Sequence, residues 1–69
     1  MEAFDIQLLE SHLTIEPQDD GTYVVMEKGQ KLGIIYPEQL KDQVIWHSHD
    51  DLDFGFVQQI GELIMEHNM

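Results

Sequence analysis

The chain contains no cysteine and no arginine among its 69 residues. Without cysteine there is neither a disulfide nor a thiolate, so catalysis by a thiol is excluded. Without arginine there is no bidentate clamp for a phosphate group. The only serines, Ser11 and Ser48, do not stand in the glycine-flanked turn that presents a serine nucleophile. We therefore expect a protein that is not an enzyme and that needs no cofactor.

Long apolar runs are also missing, and none approaches the roughly 20 residues that span a bilayer. Residues 1–5 lack the basic start and apolar stretch of a signal peptide. Both absences predict a cytoplasmic protein that does not associate with membranes. With 69 residues, the chain is expected to form a single domain over residues 1–69, close to the lower size limit for one hydrophobic core.

Positive charge is scarce, because three lysines face 14 aspartates and glutamates, which gives a formal net charge of −11 with neutral histidines. Nucleic acids and anionic membranes would be repelled, since both are bound through lysine and arginine. A protein with a basic surface would be attracted, most strongly at low salt. The plainer interpretation, that acidity keeps a small protein soluble, stays open.

Short segments with the alternating pattern of β-strands fill the first two thirds of the chain. In the first segment Phe4, Ile6 and Leu8 alternate with polar residues. The pair Asp20-Gly21 between two such segments is a strong hairpin signal. Pro37 is expected to end the fourth segment. The predicted strands cover approximately residues 3–9, 12–17, 22–28, 31–36 and 43–48.

The C-terminal segment is the only one with sustained helical spacing. Its apolar residues, from Phe56 to Ile64, recur three and four positions apart and predict a helix over about residues 51–67. Asp50 or Asp53 is placed to cap its start. We therefore predict an α+β fold, in which an antiparallel β-meander of four to five strands is followed by one C-terminal amphipathic α-helix packed on one sheet face.

Three predicted strands are apolar at consecutive positions, in residues 23–26, 34–36 and 44–46. Because neighbouring residues on a strand point to opposite faces, both sheet faces carry apolar side chains, and one helix covers only one of them. The uncovered face predicts self-association, face to face or edge to edge, most simply as a homodimer. The alternative is that sheet twist and the loop at 37–42 shield these side chains within one chain. The interface candidates are Val24, Met26, Ile35, Ile45 and Trp46.

One cluster carries residue types that bind metals. His47, His49 and Asp51 follow one another with single-residue gaps at the end of the fifth predicted strand. Imidazole and carboxylate suit zinc, but a structural zinc site needs four ligands and the chain has no thiolate. His12 would add a ligand only if its strand were adjacent. We favour solvated histidines next to helix-capping aspartates, with a mild pH response between about pH 5 and 8.

Three functional hypotheses follow from these patterns. The first is a small acidic, non-enzymatic module for protein interaction or assembly that self-associates. The second is an acidic mimic that inhibits a basic, nucleic-acid-binding protein. The third is a histidine- or metal-dependent activity at His47, His49 and Asp51. We favour the first, because the doubly apolar strands come without catalytic residues.

Overall fold

The computed structural model describes residues 2–68 and shows an α+β fold. Five antiparallel strands form one sheet in the order β1-β2-β3-β4-β5, and the predicted meander followed by a helix is confirmed. Within residues 2–68, no helix has the length and hydropathy that crossing a membrane requires. The elements are β1 (Phe4–Leu8), β2 (Ser11–Pro17), β3 (Tyr23–Glu27), β4 (Gln30–Gln39), β5 (Val44–Ser48) and helix α1 (Phe54–His67).

The hydrophobic core lies between helix α1 and one face of the sheet. Alternate residues of each strand contribute to it, as the two-residue period of a strand requires. Gly61 of the helix lies directly on the Trp46 ring, since an added Cβ would be 2.2 Å from the indole. The fully buried side chains are Leu13, Ile15, Val25, Ile35 and Trp46 from the sheet, and Val57, Ile60 and Ile64 from the helix.

Strand β4 is longer than predicted, because Pro37 does not end it. The strand continues to Gln39, and Pro37 lies opposite Trp46 of β5. Antiparallel pairs alternate between hydrogen-bonded and non-bonded positions, and Trp46 turns its backbone groups away from Pro37. On the other side of β4, strand β3 begins only at Tyr23, which pairs with Ile35, two positions before Pro37. The missing N–H of the proline therefore leaves no ladder partner unsatisfied.

The hairpin turns rely on left-handed backbone conformations. Gly21 and Gly29 supply positive φ angles of 87° and 79°, as glycine does without steric cost. The turn between β1 and β2 is different, because Leu9 adopts φ 58° there and exposes 84% of its side chain. A β-carbon in this conformation costs about 1–2 kcal/mol. The shape of the first hairpin is therefore imposed by its strands rather than by its turn residues.

The two aspartates considered as helix caps have different roles. Asp53 caps α1, because its Oδ2 accepts the Phe56 N–H at 3.0 Å. Asp50 instead accepts the backbone N–H of Ile34 at 2.8 Å. The Ser48 hydroxyl donates to the Ile34 carbonyl at 2.7 Å. The side chains of Ser48 and Asp50 thus bind the backbone of Ile34 at the point where β5 ends. Because Asp50 is engaged with β4, helix α1 begins only at Phe54, later than predicted.

Candidate functional site

The sheet face opposite helix α1 is the candidate functional site, and we name it the open face. Within residues 2–68, no strand or helix packs against it, because α1 contacts the sheet from the core side. Register across the sheet brings Glu16, Val24 and Ile34 side by side near its centre. The strand residues of the open face are Asp5, Gln7, His12, Thr14, Glu16, Val24, Met26, Lys31, Ile34, Tyr36, Glu38, Ile45 and His47.

The apolar side chains of the open face form one strip across its β3–β5 half. Ile34 lies between Val24 of β3 and Tyr36 of its own strand, and Ile45 of β5 lies diagonally across from Tyr36. A solvated face of an antiparallel sheet normally carries polar residues, whereas five of the eight strand residues on this half of the face are apolar. We name this group the apolar strip. Its members, all half-buried, are Val24, Met26, Ile34, Tyr36 and Ile45.

The structure divides the five interface candidates between the two faces of the sheet. Val24, Met26 and Ile45 lie on the open face. Ile35 and Trp46 lie on the opposite face, where they are 0% and 3% exposed beneath the helix. They are core residues that a partner protein would not contact, so they are not interface residues. Ile34 and Tyr36, from the apolar run 34–36, take their place, although neither is among the five interface candidates.

His47 of β5 and His49, which follows this strand, lie next to Tyr36 of the apolar strip. The ring centroids of His47 and His49 lie 5.6 Å and 5.0 Å from that of Tyr36. His47 Nε2 is 2.7 Å from Glu38 Oε1, so this histidine is already engaged by a carboxylate. The two imidazoles widen the aromatic surface around Tyr36 and supply polar contacts at its border.

The structure does not assemble the suggested histidine and aspartate metal cluster. Among residues 2–68, no group of three or more His, Asp and Glu side chains is placed to hold a metal ion. Asp51 is exposed in the turn after β5. His12 lies on β2, which is separated from β5 by two strands, so it cannot supply the further ligand. The three candidate ligands His47, His49 and Asp51 therefore do not converge.

Carboxylates border the apolar strip. Glu16 lies opposite Val24, and Glu38 lies opposite Ile45. Asp20, in the turn between β2 and β3, lines a shallow groove of about 530 Å³ together with Ile34, Tyr36, Pro37 and His49. Within residues 2–68, no lysine lies within ion-pair distance of a carboxylate, and Lys31 is the only lysine among the strand residues of the open face. The border of the strip is therefore predominantly negative.

Asp20 is held in its ionised form at the end of this groove. Its Oδ1 accepts the Thr22 hydroxyl at 2.7 Å and the Thr22 backbone N–H at 3.1 Å. The hydroxyl bond first, and the backbone bond second, lower the pKa of Asp20 below its ordinary value of 3.8. The groove thus has a fixed negative charge at one end.

A smaller groove of about 270 Å³ lies on the helix side of the sheet. Tyr23, Val44, Trp46 and Met65 line it, and the Tyr23 and Trp46 ring centroids are 5.5 Å apart. The Trp46 Nε1 has no hydrogen-bond partner among the described residues, but it is fully buried. A ligand does not reach this donor from the surface, so the groove offers apolar contact together with the polar side chains of Gln39 and Asn68.

No family model, curated protein or solved structure matches this chain.

Proposed function

We propose that this chain is a non-enzymatic protein-interaction module whose open face binds a partner protein. The observation that carries the proposal is the apolar strip, which five half-buried side chains form on a face that no other described element covers. Contiguous apolar surface of this kind, bordered by polar residues, is typical of interaction sites. Tyr36, flanked by two imidazoles, is the aromatic anchor that such sites commonly contain.

Charge favours a basic partner on this face over a second copy of the chain. Two copies docked face to face would place the acidic border of one open face against the acidic border of the other. Their borders would oppose the carboxylates of Glu16, Asp20 and Glu38 in a closely packed interface, and like charges there oppose association. A surface with apolar residues bordered by lysine or arginine would bury the strip and neutralise these carboxylates at the same time.

The dimensions of the sheet predict a transient complex. Five strands at about 4.8 Å spacing and about 17 Å length give a face of roughly 24 Å by 17 Å. Docking on it would bury about 800 Å² counted over both partners, which is below the roughly 1,200 Å² that separates weak encounters from stable complexes. We therefore expect affinity in the micromolar range, which falls as ionic strength rises.

The proposal is tested with a synthetic 12-residue peptide that alternates leucine and lysine. A peptide that alternates serine and lysine has the same charge and serves as the ligand control. We expect the leucine peptide to bind at least tenfold more tightly, with amide chemical-shift changes centred on Val24, Ile34 and Tyr36. Equal binding of both peptides, or shifts spread evenly over helix α1, would show that charge alone attracts them and would contradict the proposal.

Substitutions then separate the strip from the rest of the surface. The double variant Ile34→Ala/Ile45→Ala removes apolar area from the strip without a change in charge, and it should weaken the leucine peptide about tenfold. Met65→Ala removes a comparable side chain from helix α1, where Met65 is 44% exposed, and should leave binding unchanged. Amide spectra of both variants establish that the fold is retained.

A second candidate function, charge mimicry toward a nucleic-acid-binding protein, is supported by the exposure of the acidic residues. None of the described carboxylates is buried. Within residues 2–68, no lysine lies within ion-pair distance of a carboxylate. Such a mimic would compete with duplex DNA for a lysine-rich DNA-binding protein. Its competition would persist in Ile34→Ala/Ile45→Ala, whereas binding through the apolar strip would not.

A further inference from the structure

The sheet has two edge strands, β1 and β5, and only one of them is covered. At β5, the side-chain amide of Gln58 accepts the Trp46 N–H at 3.0 Å and donates to the Trp46 carbonyl. Both backbone groups that face outward at the centre of this edge are therefore occupied. An incoming strand has no ladder to extend there.

The outer edge of β1 has no such cover. Leu8 and Ser11 flank the two-residue turn of the first hairpin and pair directly, so theirs is a hydrogen-bonded position. Alternation along the ladder then turns the backbone groups of Asp5 and Gln7 away from β2. Within residues 2–68, no backbone group from a turn, loop or the helix forms a hydrogen bond with the backbone of Asp5 or Gln7. Both residues are exposed.

We infer that β1 pairs antiparallel with β1 of a second copy, with the two-fold axis at Ile6, so that the two sheets join edge to edge. This register places Asp5 opposite Gln7 of the other copy, twice. Each pair exchanges two backbone hydrogen bonds, so the outward-facing N–H and C=O groups of Asp5 and Gln7 are all bonded in both copies. The interface is isologous and closes as a dimer. It leaves the open face free, and it does not depend on the proposed function.

The side chains on both faces of the junction fit this register. On the open-face side, Gln7 Nε2 donates one N–H to the Leu9 carbonyl at 3.3 Å, and its second N–H is the one that the inferred register directs to the Asp5 carboxylate of the other copy. Asp5 Oδ1 is taken by the Thr14 hydroxyl at 2.9 Å, which leaves Oδ2 free to accept that bond. On the core side, Ile6 meets Ile6 of the second copy, and both are half-buried at the end of the core. A register centred on Asp5 would set Asp5 against Asp5, where like charges oppose pairing. A register centred on Gln7 would place Asp5 opposite Leu9, which lies beyond the end of β1.

Charge substitutions at Gln7 test the register by sedimentation equilibrium from micromolar to millimolar concentration. Gln7→Glu places a carboxylate opposite Asp5 in both symmetric pairs, and we expect the dimer Kd to rise at least tenfold. Gln7→Lys places an ammonium group there, and we expect the Kd to fall at least threefold. Gln59→Glu and Gln59→Lys make the same charge changes on the exposed side of helix α1 and should move the Kd less than twofold.

A proline provides a second, independent test. Because the Gln7 N–H faces outward, Gln7→Pro removes it without loss of a bond to β2, so the fold is retained and the dimer is lost. Amide exchange at Asp5 and Gln7 should also slow as the wild-type protein dimerises. A wild-type monomer at millimolar concentration would overturn the inference. A dimer whose Kd is unchanged in all three Gln7 variants would also overturn the inference. If Ile34→Ala/Ile45→Ala dissociated the dimer, the copies would associate through the open face and not through β1.

Discussion

Gln58 of helix α1 occupies both outward-facing backbone groups of Trp46, the middle residue of edge strand β5. A single side-chain amide thereby replaces the neighbouring strand that β5 lacks. The indole of the same Trp46 packs on the backbone of Gly61 one turn further along the helix. These two contacts hold helix α1 against β5 on the core side of the sheet. Gln58 thereby covers the edge of β5, and the open face lies on the side of the sheet away from the helix.

Replacement of Gln58 by leucine should destabilise the protein and uncover the β5 edge. Gln58→Leu keeps the size of the side chain but removes both hydrogen bonds to Trp46, and we expect a loss of about 1–3 kcal/mol in the free energy of unfolding. Urea denaturation measures this loss, and light scattering measures the association that an uncovered edge promotes. Gln59→Leu is the matched control, because Gln59 is exposed and makes no contact with Trp46 in the described chain. Equal losses in the two variants would refute the role of Gln58.

A methyl group at Gly61 should cost stability although alanine is the better helix former. An alanine Cβ would overlap the Trp46 ring at 2.2 Å, so the helix must shift. We expect Gly61→Ala to lower the free energy of unfolding by about 1–3 kcal/mol, as overpacking does. In an open position the same change would stabilise the helix by about 1 kcal/mol.

The control for Gly61 is Gly55→Ala, in the exposed first turn of the helix. The added Cβ would meet only Asp53 Oδ2, at 3.3 Å, and the free energy of unfolding should change by less than about 1 kcal/mol. A Trp46→Leu background should remove most of the Gly61→Ala penalty, because the two residues are in direct contact. Additive effects in this double-mutant cycle would show that the penalty has another origin.

The meander and the helix were predictable because period-two and three-to-four spacing are local properties of the sequence. The identity of the open-face residues was not. A run such as Ile34-Ile35 is apolar on both faces and does not reveal which residue points to the helix. That choice follows from register with Val25, which pairs with Gly33 and not with Ile34. The assignment of Ile35 to an interface was wrong for this reason.

Other features depended on neighbours that are distant in sequence. Gln58 resembles a solvent-facing helix residue until the helix is placed against β5. Pro37 resembles a strand terminator until its position opposite Trp46 is known. The metal cluster depended on strand order, since His12 would need β2 next to β5. Tertiary placement decides each of these cases, and local spacing contains no information about it.

The hydrogen bonds of Asp20 should give the protein a specific response to acid. The folded-state pKa of Asp20 is lowered below 3.8, so the bonds to Thr22 contribute stability above pH 3.8 that is lost as pH falls through the lowered value. Thr22→Val removes the hydroxyl donor, and we expect the pKa of Asp20 to rise toward 3.8. Titration of the Asp20 side-chain carboxyl by NMR measures this shift directly.

A second variant isolates the ionisation of Asp20 from the shape of its turn. The amide oxygen of Asp20→Asn still accepts hydrogen bonds from Thr22 but does not titrate. With Asn at position 20, Thr22→Val should change stability by the same amount at every pH. If the difference between the two proteins still varied below pH 4, another carboxyl group would be responsible for the acid response.

The last prediction concerns Asp53 and Asp50, which are close in sequence but stabilise different elements. Asp53→Ala removes the N-cap of α1 and should cost about 0.5–2 kcal/mol, with faster amide exchange in the first helical turn. Asp50→Ala releases the Ile34 N–H and should instead speed exchange in β4. Asp51→Ala is the control, since Asp51 is exposed and accepts no hydrogen bond within residues 2–68. If Asp50→Ala loosened the helix and left Ile34 protected, the separation of helix cap from strand cap would be wrong, because each carboxylate protects only the amide that it binds.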